Sequence, residues 1–207
     1  MGHSKEDKKD SHERIVQAAA RRFREAGIEG VGVQALMNDA GLTHGGFYRH
    51  FASREDLVAE AVERALKDGG QAAAALERRL LDAEPTDETS MLARRKALWQ
   101  ALVDGYLSLA HRDQLASSCA VTTLAGDVSR SNARARTAYG QQVDAYLDLL
   151  AKLIEVESDE VRRSKSIAAL AILVGAVSMA RAVSDAALSE EILASARREL
   201  KLLGHGA

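Results

Sequence analysis

A single proline, Pro85, interrupts a chain of 207 residues in which Ala, Leu, Glu and Arg abound. Those four side chains lose little freedom on entering a helix, and the strongest helix breaker is almost missing. No run alternates apolar and polar residues for long enough to make a strand. An all-α fold is therefore expected. With 46% hydrophobic and 28% charged residues, the chain has enough apolar surface to build a core and enough charge to stay dissolved.

Apolar spacing divides the chain. The first helix is expected over Ser11–Ala26, with Asp10 and Glu13 as a capping box and Ile15, Ala19, Phe23 and Ala26 as its stripe. Gly27 stops it. Short helices over Val33–Ala40 and from Thr43, a candidate N-cap, to near Phe51 flank Gly41. Ser53 then opens a helix that runs towards Gly69-Gly70, and an Ala-rich helical stretch reaches Leu81. After a loop over Ala83–Thr89, five amphipathic segments follow: Ser90–Ala110, Arg112–Ala125, Ser129–Glu155, Asp159–Ala187 and Ser189–Leu203. The expected organisation is a flexible arm (1–10) with Lys5, Lys8 and Lys9, a helix-turn-helix module (11–65) and a larger helical domain (66–207).

Net charge is −2, so a nucleic-acid site would have to be a local patch. Gln34–Phe51, QALMNDAGLTHGGFYRHF, supplies one. Two short helices joined at Gly41-Leu42 make a helix-turn-helix, with Leu36, Ala40, Leu42, Phe47 and Phe51 as its small core. On a wheel at 100° per residue, Phe47 and Phe51 point inward, Gly45, Gly46 and Arg49 point outward, and Tyr48 and His50 flank them. Bare glycine backbone can approach base edges, Arg49 can donate to guanine or phosphate, and Tyr48 and His50 can reach the strands. Thr43 and His44 sit at the end that points into the groove, and Arg54 joins backbone N–H groups that favour phosphate. No acidic residue occurs from Gly41 to Arg54.

The run GLTHGGFYRHFASREDLVAEAV, with RIVQAAARRFREAGIEGVGVQALMNDAG before it, closely resembles the TetR family of transcriptional regulators over about the first 65 residues. The resemblance implies phosphate contacts from Tyr48, His50 and Arg54, and base or groove contacts from Gln34, Thr43, His44, Gly45 and Arg49. It departs at Gly32-Val33, where the family has a hydroxyl capping the second helix. It also implies a homodimer on a pseudo-palindromic DNA operator, a repressor released by a small-molecule effector, and a four-helix dimer bundle from the last two helices. Ile167, Leu170, Val174 and Val177, with Ile192, Ala196 and Leu200, fit such an interface by spacing and fit an intrachain core equally well.

Trp99, Tyr106 and Cys119 are candidate effector contacts, and each reads equally as core. The stretch CAVTTLAGDVSRSNARARTAYGQQV resembles a subgroup with a cysteine here, which adds an electrophile- or redox-sensing repressor as an alternative. Nothing adjacent in sequence offers the thiol an activating base. No histidine spacing fits a metal, and H-E-x-x-H, paired cysteines, a phosphate-cradling loop and a nucleophile elbow are all missing. No catalytic residue, cofactor or metal is expected; an enzyme or a helical adaptor stays as a remote alternative. Ile167–Val183 is apolar but shorter than the ~20 residues of a membrane span, and it contains Ser178 and Arg181. A single cysteine and a polar N-terminus point to the cytoplasm, without membrane attachment.

Overall fold

A computed structural model of the chain describes residues 5–81, 87–156 and 158–204. Among the described residues it is all-helical: α1 (Lys5–Ala26), α2 (Val33–Asp39), a 3₁₀ turn (His44–Arg49), α3 (Arg54–Leu81), α4 (Glu88–Tyr106), α5 (Leu109–Asp113), a second 3₁₀ turn (Leu115–Ser117), α6 (Ala120–Thr123), α7 (Ala125–Ser129), α8 (Ala133–Leu153), α9 (Asp159–Ala182) and α10 (Ala186–Leu203). The expected all-α fold is what the chain adopts.

Several boundaries differ from expectation for local reasons. α1 starts at Lys5, so Asp10 lies inside it and the Asp10–Glu13 capping box does not form. Lys5, Lys8 and Lys9 therefore sit on helix and not on an arm. α3 runs through Gly69-Gly70 to Leu81. Each glycine costs a helix only ~1 kcal/mol, which the Ala-rich flank tolerates. Pro85, in the expected loop, lies outside the described residues, whereas Asp87 caps α4 by accepting from Ser90 N at 2.8 Å. The segment Arg112–Ala125 is not one helix. It is broken into the end of α5, the second 3₁₀ turn and α6. Ser and Thr side chains compete for backbone groups there; Ser108 caps α5, and Thr123 Oγ1 donates to Cys119 O at 3.3 Å. α9 stops at Ala182 because Asp185 caps α10, accepting from Ala187 N and Leu188 N at 2.8 and 3.1 Å.

Two compact units result. One runs to Gly69 and resumes over Leu115–Gln141; the other comprises Gly70–Gln114 and the rest of the chain from Gln142. In the first, Ile15, Ala19 and Phe23 of α1, Leu57, Ala61 and Val62 of α3, and Val121, Leu124 and Val128 are buried. Arg24 is, among the described residues, the only charged side chain in the buried set. It ties α1 to α3 and to the second 3₁₀ turn, with Nε donating to Ala116 O at 2.7 Å, Nη1 donating to Ala65 O at 3.2 Å, and Asp68 3.9 Å away. Burial pulls its pKa below the ordinary arginine value, and Asp68 acts in the opposite direction. Asn132 caps α8 through Ala135 N at 2.9 Å and donates to Glu55 O at 3.0 Å.

In the second unit α9 and α10 pack along each other, and their three-residue connection makes them antiparallel neighbours. Trp99 Nε1 donates to Leu200 O at 2.9 Å, and Ser189 Oγ to Ala180 O at 2.6 Å. Arg181 donates to the carbonyls of His111 and Arg112, both at 2.8 Å. By length and composition α9 is long and apolar enough to cross a membrane, with a mean hydropathy of 1.5; only 33% of that window is buried.

Candidate nucleic-acid interface

Gly41 takes φ +72°, the left-handed region in which glycine is unhindered, and turns the chain out of α2. Leu42 N then bonds Met37 O at 2.8 Å, holding the 3₁₀ turn against α2. The expected shared core is present. Leu36, Ala40, Phe47 and Phe51 are buried, the two phenylalanine rings stack at 5.4 Å, and Leu42 is half-buried. Met37, which the sequence pattern did not single out, is fully buried as well and contacts the Gly46 position. Gly46 therefore faces α2 more than the outside, because the segment winds as a 3₁₀ turn with three residues per turn.

With the two phenylalanines held inside, the rest of the segment points out. Thr43, His44, Gly45 and Arg49 are exposed, and Tyr48 is 76% exposed, high for so large a ring. Gln34, in the first turn of α2, is exposed too. Gly32 precedes that helix with no side-chain cap, as the sequence departure implies. His50 is half-buried, and its Nδ1 is buried with no hydrogen-bond partner among the described residues. A neutral ring with its proton on Nε2 avoids burying an unpaired N–H at Nδ1 and leaves Nε2–H as the donor. Burial lowers the His50 pKa, and His12, Lys8 and Arg49 lower it further. The cations felt at His50 are a local positive field on a nearly neutral protein, and Lys8 belongs to the helical turns that the sequence reading assigned to an arm.

Arg54 is placed differently from the others. Its guanidinium donates to Ile28 O at 2.7 Å, to Val31 O at 3.4 Å and to Glu29 Oε1 at 3.1 Å. It clamps the α1–α2 connector, and Ser53 Oγ, accepting from Asp56 N at 3.1 Å, caps its helix as expected. The clamp was not visible in the sequence because it spans 25 residues. Arg24 was missed for a similar reason: on the helix wheel it falls about 100° beyond Phe23, off the apolar stripe, and its partners are distant in sequence.

The remaining candidates are spread out. Trp99 is fully buried, and Tyr106 lies half-buried with its ring 4.4 Å from His111; both are on α4 in the second unit. Cys119 is buried in the first unit. Of the residues proposed for a dimer face, Leu170, Val177 and Leu200 are buried within the chain, Val174, Ile192 and Ala196 are half-buried, and Ile167 is 50% exposed.

Residues 15–61 match the family described as "Bacterial regulatory proteins, tetR family". An HTH-type transcriptional regulator of Staphylococcus aureus (strain USA300) is 31% identical over 62 residues, which are 30% of this chain and 34% of that protein. The chain thus spans about a third of the length of the curated relatives it matches. The fold as a whole is similar to the reduced form of Escherichia coli NemR, with TM-score 0.67, 19% identity and coverage of 93% and 95% of the two chains. It is equally similar to a TetR transcriptional regulator of Chloroflexus aurantiacus, with TM-score 0.69, 23% identity and coverage of 95% and 94%.

Proposed function

We propose that this chain, whose residues 15–61 match the tetR family of bacterial regulatory proteins, is a homodimeric, operator-binding transcription repressor of the cytoplasm. The observation that carries this reading is the exposed, acid-free turn Thr43–Arg49, held outward by the stacked Phe47 and Phe51. Arg49, His44 and the bare backbone of Gly45 read the major groove; Tyr48 and His50 Nε2–H hold phosphates. Two such turns, carried by two copies, read half-sites one helical turn apart, about 34–36 Å. Selection of genomic fragments by the purified protein, followed by gel shift, tests this. A palindromic site lost on Arg49→Ala supports it, and failure to enrich any duplex refutes it.

Release by a small molecule in the second unit is part of the same proposal. The effector must bind the non-reading state better than the reading one, since equal affinity shifts nothing. α3 begins beside the reading turn and continues past Gly69, which gives the signal a continuous helix to travel along. A second reading is supported by the place of Cys119 in the unit that holds the reading turn: a bulky adduct on this buried thiol would disturb that unit directly. N-ethylmaleimide that releases DNA from the parent but not from Cys119→Ser supports a sensor. Equal retention in both removes it.

A further inference from the structure

An open cavity of about 630 Å³ lies within the first unit, large enough for a mid-sized organic molecule. One wall is α1, through Arg14, Gln17, Arg21 and Arg24, and Asp39 and Asp68 also line the cavity. Asp39 accepts from Arg22 Nε at 2.7 Å, and Asp68 from Arg64 Nε at 2.8 Å. Arg24 is occupied by Asp68 and the carbonyls of Ala65 and Ala116. Arg21 lies 3.5 Å from Asp39 and 3.3 Å from Glu25. Arg14 has no carboxylate within 4.0 Å among the described residues; it donates to Ser11 Oγ at 3.2 Å and is otherwise turned to the bare backbone of Gly41. Ala18, Ala40 and Ala116 add apolar surface beside it.

We infer that this cavity binds a small organic monocarboxylate, its carboxylate on Arg14 and its apolar body against the three alanines. A guanidinium presents two parallel N–H donors to a carboxylate, which makes the pairing geometrically selective. Arg21 and Arg24 are already paired with carboxylates, so the second charge of a phosphate monoester finds no further free guanidinium among the described lining residues, and the monoester is a poorer fit. An occupant would touch both α1 and the turn at Gly41 that sets the angle of the helix-turn-helix. The inference concerns binding alone and stands whether or not the chain reads DNA.

The test is a titration of the ¹⁵N-labelled full-length protein with 2-naphthoate, 2-naphthamide and 2-naphthyl phosphate, followed by amide shifts. Naphthoate is expected to shift Gly41, Ala116 and Ser117 saturably. Arg14→Ala, a change at an exposed side chain, is expected to weaken that response about tenfold, the value of a charge-assisted pair. Arg14→Lys is expected to recover part of it, and the amide and the phosphate to bind more weakly. Absence of saturable shifts at those amides overturns the inference. So does an unchanged response in Arg14→Ala, or a response to the amide or the phosphate as strong as to the acid.

Discussion

Arg49 and Arg54 are five residues apart, and burial gives them different work. Arg49 is exposed, so Arg49→Ala is expected to leave unfolding stability unchanged while abolishing selective operator binding. Arg54 holds two backbone carbonyls of the connector. Arg54→Ala is expected to lower the unfolding free energy by ~1–3 kcal/mol in urea titrations, the cost of leaving such acceptors unpaired. An Arg54 variant of full stability would return the residue to a phosphate role. Tyr48→Phe removes one exposed hydroxyl and is expected to weaken every operator about fivefold, as loss of one phosphate hydrogen bond does. A loss confined to particular base pairs would show that Tyr48 reads sequence. His111 Nδ1 donates to Tyr106 O at 2.6 Å inside the second unit, and burial, with Arg181, lowers its pKa while that bond raises it. The folded pKa lies below the unfolded value of 6.5, so between the two the unfolded chain binds more protons and stability rises with pH. Stability measured at pH 5 and pH 7 is expected to differ less in His111→Asn than in the parent. Equal differences would discard the assignment.

At the scale of the element, the reading turn depends on one backbone conformation. Gly41 has φ +72°, and a Cβ there would meet nothing closer than Arg14 Nη1 at 3.8 Å. Gly41→Ala is therefore a test of conformation without a clash, and ~1–2 kcal/mol of destabilisation in urea unfolding is expected. No loss of stability would mean that the turn adopts another geometry. One of three helix starts read from a capping side chain was legible: Ser53 does what its place before Arg54-Glu55-Asp56 suggests, whereas Asp10 lies inside α1 and Thr43 makes no side-chain cap bond. Legibility failed where a stop depended on competition. Asp185 wins over an apolar run that would otherwise have carried α9 to Ala187. The Ser- and Thr-rich stretch after Asp113 gives short turns where amphipathic spacing suggested one helix.

At the scale of the whole molecule, the proposed dimer rests on the uncovered apolar residues of α9. Ile167 is 50% and Met179 54% exposed, while Leu170 and Val177 beneath them serve the chain's own core. A second copy packed on this face would cover it. Ile167→Glu combined with Met179→Arg is expected to halve the mass seen in sedimentation equilibrium while helical circular dichroism is kept. A parent that sediments as a monomer would refute the dimer. The sequence stripe mixed inward and outward residues here, because α9 carries apolar residues on its exposed side as well, and no polar face marks where the chain's own core ends.

The sequence by itself determined that the chain is helical and that Thr43–Arg49 is an acid-free segment with two phenylalanines to anchor it. Both follow from composition and short-range spacing, which act within a few turns of chain. Tertiary structure decided what each arginine does. Arg24 and Arg54 hold carbonyls distant in sequence, Arg49 faces outward, and Arg14 lines a cavity without a carboxylate partner of its own. All four carry the same guanidinium; partners and burial separate them, and those are set only when segments such as α1 and Leu115–Ser117 come together.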